Sequence, residues 1–166
     1  MELITSLTNA KVKMALSLQQ KKYRDKYQLF ILEGIRNAEM VIAKNISVQM
    51  CFFTQKAFTN ERGKSILEQL NCPCFEIPEH IYQKISDTQS PQGLMLILPI
   101  QNHNLDDLAT INKSGLYLIL DRLQDPGNIG TIIRTADAMG VKAIICLNGT
   151  ADIYSPKVVR SAMGSL

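Results

Sequence analysis

Residues 116–140 contain the stretch that most constrains what this chain can fold into. Leu116 to Leu120 is a continuous apolar run of strand length, and after Asp121 the segment Asp125-Pro126-Gly127-Asn128 breaks the chain. Apolar residues then resume at helical spacing, at Ile129, Ile132, Ile133 and Ala136. A buried strand, a tight turn and a helix form the repeating unit of α/β sheets, whose ligands sit beyond the carboxyl ends of the strands. Asp121, Asp125, Pro126, Gly127, Asn128 and Gly130 crowd that junction, so chemistry is expected there.

Each residue of the turn has a physical reading. Pro126 fixes one torsion, Gly127 and Gly130 allow close approach or unusual torsions, and Asn128 or Asp125 can cap the helix. Asp121 and Asp125 either bind a hydroxyl or end the strand and charge the helix N-terminus. At 100° per residue Arg134 lies opposite the apolar stripe and projects away from the core. It suits a salt bridge to Asp137, three residues on, or a grip on phosphate through its planar fork. A second strand, Ala143 to Leu147, leads through a loop to a last helix with Ser155 as cap and Pro156 in first position. There Val158, Val159, Ala162, Met163 and Leu166 form the expected buried stripe, Lys157 and Arg160 lie on another face, and Gly164 leaves room for close approach. Two helices bearing exposed arginines fit an anionic substrate better than either alone.

The first 98 residues alternate helix and strand. Asn9 caps a helix through Val12, Leu16 and Leu18 that ends in the polar segment Lys21 to Tyr27. Strands are predicted at Leu29–Leu32, Val48–Thr54, Cys74–Ile77 and Leu94–Leu98. Helices are predicted after Gly34, over Asn60–Leu70, and from Pro78 to Ile85 with proline in first position. The rhythm predicts an α/β/α domain over residues 1–98 with a mainly parallel or mixed sheet. Arg36 and Asn37 open the helix after Gly34, either as a solvated first turn or as a charge and an amide offered to a phosphate or base. Residues 99–115 read as a linker with one helical turn, and residues 116–166 as the start of a second α/β domain.

Composition narrows the function classes. The net charge is only +3, but residues 1–44 carry eight Lys and Arg against four Asp and Glu, a local excess suited to a polyanion such as RNA or to a solvated helix face. No apolar run approaches the ~20 residues that span a bilayer, and the opening Met-Glu-Leu-Ile-Thr-Ser lacks the pattern of a signal peptide. A cytoplasmic protein without a membrane partner is expected. Four Cys in that setting read as reduced thiols: Cys51 and Cys146 lie in apolar runs, and Cys72-Pro-Cys74 lacks a second pair or a His at zinc spacing, so no metal is expected. Neither phosphate-binding glycine pattern, Gly-x-x-x-x-Gly-Lys-Ser/Thr or Gly-x-Gly-x-x-Gly, is present.

Taken together, Asp121-x-x-x-Asp125-Pro126-x-Asn128-x-Gly130-x-Ile132-x-Arg134-Thr135-Ala136 and Ser155-Pro156-Lys157-x-x-Arg160-x-x-x-Gly164 resemble the first two motifs of the SpoU/TrmH family of RNA ribose 2′-O-methyltransferases. Leu32-Glu33-Gly34-Ile35-Arg36 and Ser90-Pro91-Gln92-Gly93 resemble the substrate-binding domain that precedes the catalytic domain in one branch of that family. The resemblance implies a ribosomal-protein-like α/β/α domain followed by a partial α/β-knot methyltransferase domain, S-adenosylmethionine as donor, ribosomal RNA as substrate, and a homodimer. It makes Arg134 and Asn128 catalytic, and Arg36, Asn37, Lys157 and Arg160 RNA-binding. The family's third motif, which holds the donor, has no counterpart in this sequence, so cofactor-binding residues are expected beyond Leu166. These 166 residues by themselves are expected to be inactive. A non-catalytic RNA-binding module is the alternative.

Overall fold

The computed structural model describes residues 1–103 and 114–166, which form two compact units, Met1–Ile100 and Gln101–Leu166. The helical turn expected in the linker falls outside the described residues.

Unit 1 is built on a five-stranded sheet. Its strands are β1 (Glu2–Leu3), β2 (Leu29–Glu33), β3 (Met50–Phe53), β4 (Cys74–Glu76) and β5 (Leu94–Pro99), in the order β1-β4-β3-β5-β2. β1, β4 and β3 run parallel, while β5 pairs antiparallel with both β3 and β2. The sheet is therefore mixed. Alternate side chains face opposite layers. Ile31, Phe52, Phe75, Met95 and Ile97 pack with Val12, Ala15 and Leu18 of α1 and its end, and with Ile81, Tyr82 and Ile85 of α6 (Glu79–Ile85). On the other face lie α3 (Ile35–Ala43), α4 (Gln55–Phe58) and α5 (Glu61–Gln69), over Leu32, Phe53, Leu94 and Leu96.

Caps and one glycine fix the helices. Asn9 Oδ1 accepts from Lys11 N at 2.9 Å to start α1 (Ala10–Ser17), and Asn60 Oδ1 accepts from Arg62 N and Gly63 N to start α5. Gly63 is required because a Cβ there would run into the Ala57 carbonyl, 3.0 Å from its carbon. Pro78 stands at the cap of α6 rather than inside its first turn. The polar segment expected to end the first helix is itself α2 (Lys21–Tyr27): Arg24, only 3% exposed, turns inward and its Nη1 donates to Leu18 O at 2.6 Å. That contact satisfies a carbonyl at the end of α1 and gives a helix without an apolar stripe its anchor.

Unit 2 contains two parallel strands, β6 (Tyr117–Leu120) and β7 (Ala143–Cys146), each followed by a helix, α7 (Pro126–Ala138) and α8 (Pro156–Ala162). Leu120, Ile129, Ile133, Val158 and Ala162 form its core, with Leu118, Leu123, Ile144 and Ile153 packed around. The stripe expected on α8 ends earlier than the periodicity suggested. Met163 turns into a left-handed conformation at φ 50° and is exposed, as is Leu166. Cys146, the last residue of β7, is exposed as well, whereas Cys51 is buried as expected.

Candidate functional site

In unit 1 the two segments around Gly34 and Gly93 meet at one end of the sheet. β2 ends at Glu33, Gly34 turns the chain at φ 105°, and the N–H of Ile35, left without an intrahelical acceptor, donates to Gln92 Oε1 at 2.9 Å. Gly93, at φ 78°, sits where a Cβ would strike the buried Thr54 hydroxyl. Lys56 Nζ donates to Pro91 O at 2.8 Å, fastening the second segment to α4.

The Glu33 carboxylate joins the two segments. It accepts from Ser86 Oγ at 2.7 Å, from Thr88 Oγ1 at 3.0 Å and from Tyr82 OH at 3.3 Å. Burial, and then the neighbouring Glu33 charge, push the Tyr82 phenol far above its ordinary range. Arg36 is exposed on this turn. Asn37 Nδ2 donates back to Glu33 O at 2.8 Å, so one of its amide protons is committed to holding the turn. Glu39, on the same helix, is paired with Arg62 through 2.8 and 2.6 Å bonds, which hold its carboxyl below the usual range; Arg36 adds a smaller pull. The result is a rigid, hydrogen-bonded platform presenting one arginine. Sequence reasoning placed Glu33 in the turn before the helix but gave its carboxylate no partner and Lys56 no role, although the hydroxyls of Ser86 and Thr88 in a polar loop were the available signal.

In unit 2 the junction after β6 is capped by Asp125, whose Oδ1 accepts from Asn128 N at 2.7 Å, so Asn128 contributes to the first turn rather than capping it. The Asn128 side chain is exposed. Asp121 pairs with its neighbour Arg122 at 3.0 Å. Gly130 lies inside α7 where α8 crosses it: a Cβ would overlap the Ser161 hydroxyl and stand 2.6 Å from Ser161 Cβ and 2.9 Å from Ala162 N. The Ser161 hydroxyl is within reach of Lys157 O, Val158 O and, across the helix pair, Pro126 O.

This close crossing sets Arg134 beside the end of α8. Its Nη1 donates to Met163 Sδ at 2.9 Å, not to Asp137, and Met163 is brought there by successive positive φ values at Met163 and Gly164. Gly164, at φ 91°, thus completes the turn that ends α8. Lys157 and Arg160 are exposed on α8. Ser155 occupies the cap position of α8, yet its buried hydroxyl makes no hydrogen bond among the described residues. Met163 was read from spacing as core; its contact with Arg134 could not be anticipated without the left-handed turn.

The loops after the two strands are tied to each other. Leu120 O accepts from Leu147 N and Thr150 Oγ1, both at 2.9 Å, Leu123 O accepts from Ala151 N, and Gly149 O accepts from Gln124 Nε2. Those carbonyls hold the two loops together within unit 2. Among the described residues no group of three His, Cys, Asp or Glu is arranged to hold a metal ion, and no helix is long and apolar enough to cross a membrane.

Residues 9–96 match the MRM3-like substrate binding domain, and residues 115–166 match the SpoU rRNA Methylase family. The architecture is thus an α/β methylase segment behind a substrate binding domain. Among relatives, the 23S rRNA (guanosine(2553)-2′-O)-methyltransferase RlmP of Bacillus subtilis is 34% identical, over 99% of this chain and 62% of that protein. The mitochondrial rRNA methyltransferase 3 of Xenopus laevis is 31% identical over 89% of this chain and 35% of its own length. A crystal structure of an AdoMet-bound rRNA methyltransferase from Sinorhizobium meliloti superposes with a TM-score of 0.83 at 32% identity, covering 99% of this chain and 61% of that one. The chain belongs to the MRM3-like substrate binding domain family over residues 9–96, and its residues 115–166 are similar to the SpoU rRNA Methylase family. It spans between about a third and three fifths of the length of these relatives.

Proposed function

We propose that this chain provides the RNA-facing part of an S-adenosylmethionine-dependent ribose 2′-O-methyltransferase that acts on ribosomal RNA in the cytoplasm, working as a homodimer. The observation that carries the reading is the α7–α8 crossing at Gly130, which brings Arg134, inside the helix that follows the parallel strand β6, against Met163 at 2.9 Å. The donor, when bound, supplies a methyl group on a sulfonium centre.

The chain's own residues do the positioning. A guanidinium is a permanently charged fork, so Arg134 orients the ribose 2′-hydroxyl and its neighbouring phosphate and stabilises developing negative charge, rather than accepting the proton. The thioether of Met163 is a weak acceptor and yields readily to a phosphate oxygen. Asn128, three residues inside the cap, offers an amide to the same ribose. Lys157 and Arg160 on α8 and Arg36 and Asn37 on the unit 1 platform bind RNA phosphates and bases.

The test maps ribose methylation of ribosomal RNA in cells lacking the gene and complemented with wild-type, Arg134→Ala or Asn128→Ala protein. Expected is loss of one methylated ribose with the deletion and with Arg134→Ala, while RNA binding persists. Arg36→Ala and Lys157→Ala are expected to weaken RNA binding and to lower its salt dependence by about one counterion each. Unchanged methylation with Arg134→Ala overturns the catalytic reading. RNA binding without any missing methyl group favours a non-catalytic module instead.

A further inference from the structure

One flank of α2 carries side chains that the fold of unit 1 does not use. The helix reads Lys-Lys-Tyr-Arg-Asp-Lys-Tyr, has no apolar stripe, and buries Arg24 alone. At 3.6 residues per turn, Lys22, Lys26, Tyr23 and Tyr27 fall within about 140° of its circumference, while Lys21 and Asp25 share the other side. That other side is electrically closed, since Lys21 Nζ meets Asp25 Oδ2 at 2.7 Å. The first flank is not. Among the described residues Lys22 and Lys26 have no carboxylate partner. Instead Lys22 Nζ lies 4.7 Å from the centroid of the Tyr23 ring, and Lys26 Nζ 5.3 Å from that of Tyr27. The two rings are stacked, with centroids 6.3 Å apart and planes 14° apart. Lys22, Lys26 and Tyr27 are exposed and Tyr23 is half-buried.

A helix face that serves only solubility pairs its lysines with carboxylates at i,i+4, as Lys21 does with Asp25. Tyr27 instead leaves 40% of its surface in water, beside cations that nothing neutralises. Aligned aromatic rings edged by flexible ammonium groups match an unpaired nucleotide, whose base stacks on a ring while lysines take the adjoining phosphates. A bilayer asks for a broad apolar face, and α2 contains no Leu, Ile, Val, Phe, Met or Trp.

We propose that Lys22, Tyr23, Lys26 and Tyr27 form a stacking surface for unpaired nucleotides of RNA, separate from the contact made by Arg36 and Asn37. The identity of the polymer rests on the RNA-facing reading above. α2 leads into β2 at Leu29, and the Glu33 turn leaves from the other end of that strand, five residues or about 17 Å away. The two contacts therefore hold different nucleotides. Every base has a π face, so the α2 surface adds affinity without choosing sequence. Exposed cation–π contacts are weak, and the two ammonium groups leave the rings for phosphates at little cost.

The test measures binding of the whole chain, over a range of salt, to a fluorescein-labelled oligouridylate of about 12 nucleotides and to an RNA duplex of the same length. Tyr27→Leu keeps apolar bulk and removes the π face. Expected is about tenfold weaker single-strand binding at unchanged salt slope, with duplex binding unaltered. Lys22→Gln combined with Lys26→Gln should lower the slope of log affinity against log salt by about 1.4, or about 0.7 for each phosphate released. On the unaltered chain, an oligouridylate carrying 5-iodouridine should photo-cross-link to Tyr27 or Tyr23, located by peptide sequencing within residues 21–36. Wild-type single-strand affinity in Tyr27→Leu, equal losses on single strand and duplex, or cross-links confined to the Arg36 turn overturn the surface. Failure of the unaltered chain to bind the oligouridylate at about 50 mM salt overturns it too, whereas the methyltransferase reading falls only with the methylation map. Binding to vesicles of equal parts phosphatidylcholine and phosphatidylserine that the oligouridylate does not displace assigns the flank to a membrane and likewise overturns the proposal.

Discussion

Gly130→Ala tests the helix crossing on which the arrangement of Arg134 rests. An added methyl would overlap the Ser161 hydroxyl and lie 2.6 Å from Ser161 Cβ and 2.9 Å from Ala162 N, against an ordinary contact of about 3.5–4 Å. The hydroxyl can rotate away, but the Cβ and the backbone nitrogen cannot, so the helices must separate by about 1 Å. Overpacking of this kind costs about 1–3 kcal/mol, and the intrinsic helix preference for alanine over glycine returns about 1 kcal/mol. Two immovable atoms under 3 Å put the overlap in the upper part of that range, about 2–3 kcal/mol, leaving a net loss of about 1–2 kcal/mol, or about 5- to 30-fold faster amide exchange in α7 and α8. Hydrogen–deuterium exchange by mass spectrometry reads this directly, with the peptides of unit 1 as internal reference. Adding Ser161→Gly removes two of the three obstructing atoms, so the pair should cost at least about 1 kcal/mol less than the sum of the single changes. Exchange as slow as wild type in Gly130→Ala, or additive costs in the pair, refutes the reasoning.

Further outcomes follow from unit 1. Because burial and Glu33 raise the Tyr82 phenol, the unfolded chain ionises this group at about pH 10 while the folded one does not, so folding stability holds below that pH and falls as pH rises through it. Urea unfolding between about pH 8 and pH 11 should show that loss, and Tyr82→Phe should flatten it. Asn60→Ala removes the acceptor for Arg62 N and Gly63 N and should cost about 1 kcal/mol in the same measurement. Gly63→Ala, with the Ala57 carbonyl in its way, should cost more than Asn60→Ala despite its better helix propensity.

How far the fold could be read in advance depended on where its information lies. The apolar runs of β2, β3, β5, β6 and β7 and the cap at Asn9 are local signals, and they stand where expected; the helix expected over Asn60–Leu70 begins one residue later, with Asn60 as its cap. β1 was not foreseen, since two exposed residues carry no pattern and become a strand only by pairing with β4, more than 70 residues on. α2 was missed because it is held by one inward arginine, and α4 because four residues make no period. Along α7 the helical period placed Arg134 away from the core, and it is exposed, whereas Asn128, read from its type as a cap, lies in the first turn capped by Asp125. What turned Met163 toward Arg134 is a backbone conformation that residue type does not announce, since methionine rarely takes positive φ. Ser155 has the residue type of a cap without its bond.

The position of β5 governs the order of events during synthesis. It is the last strand of unit 1 to leave the ribosome, and it is the one inserted between β2 and β3. Until Leu94–Pro99 has emerged, the nascent chain can join β1, β4 and β3, but β2 has no partner and β3 keeps one bare edge. These are apolar strands with open hydrogen-bonding groups, the surfaces most prone to pair with the wrong chain. Unit 1 is therefore a domain completed by its final segment, and the interval before that segment appears is when it most needs protection by a chaperone.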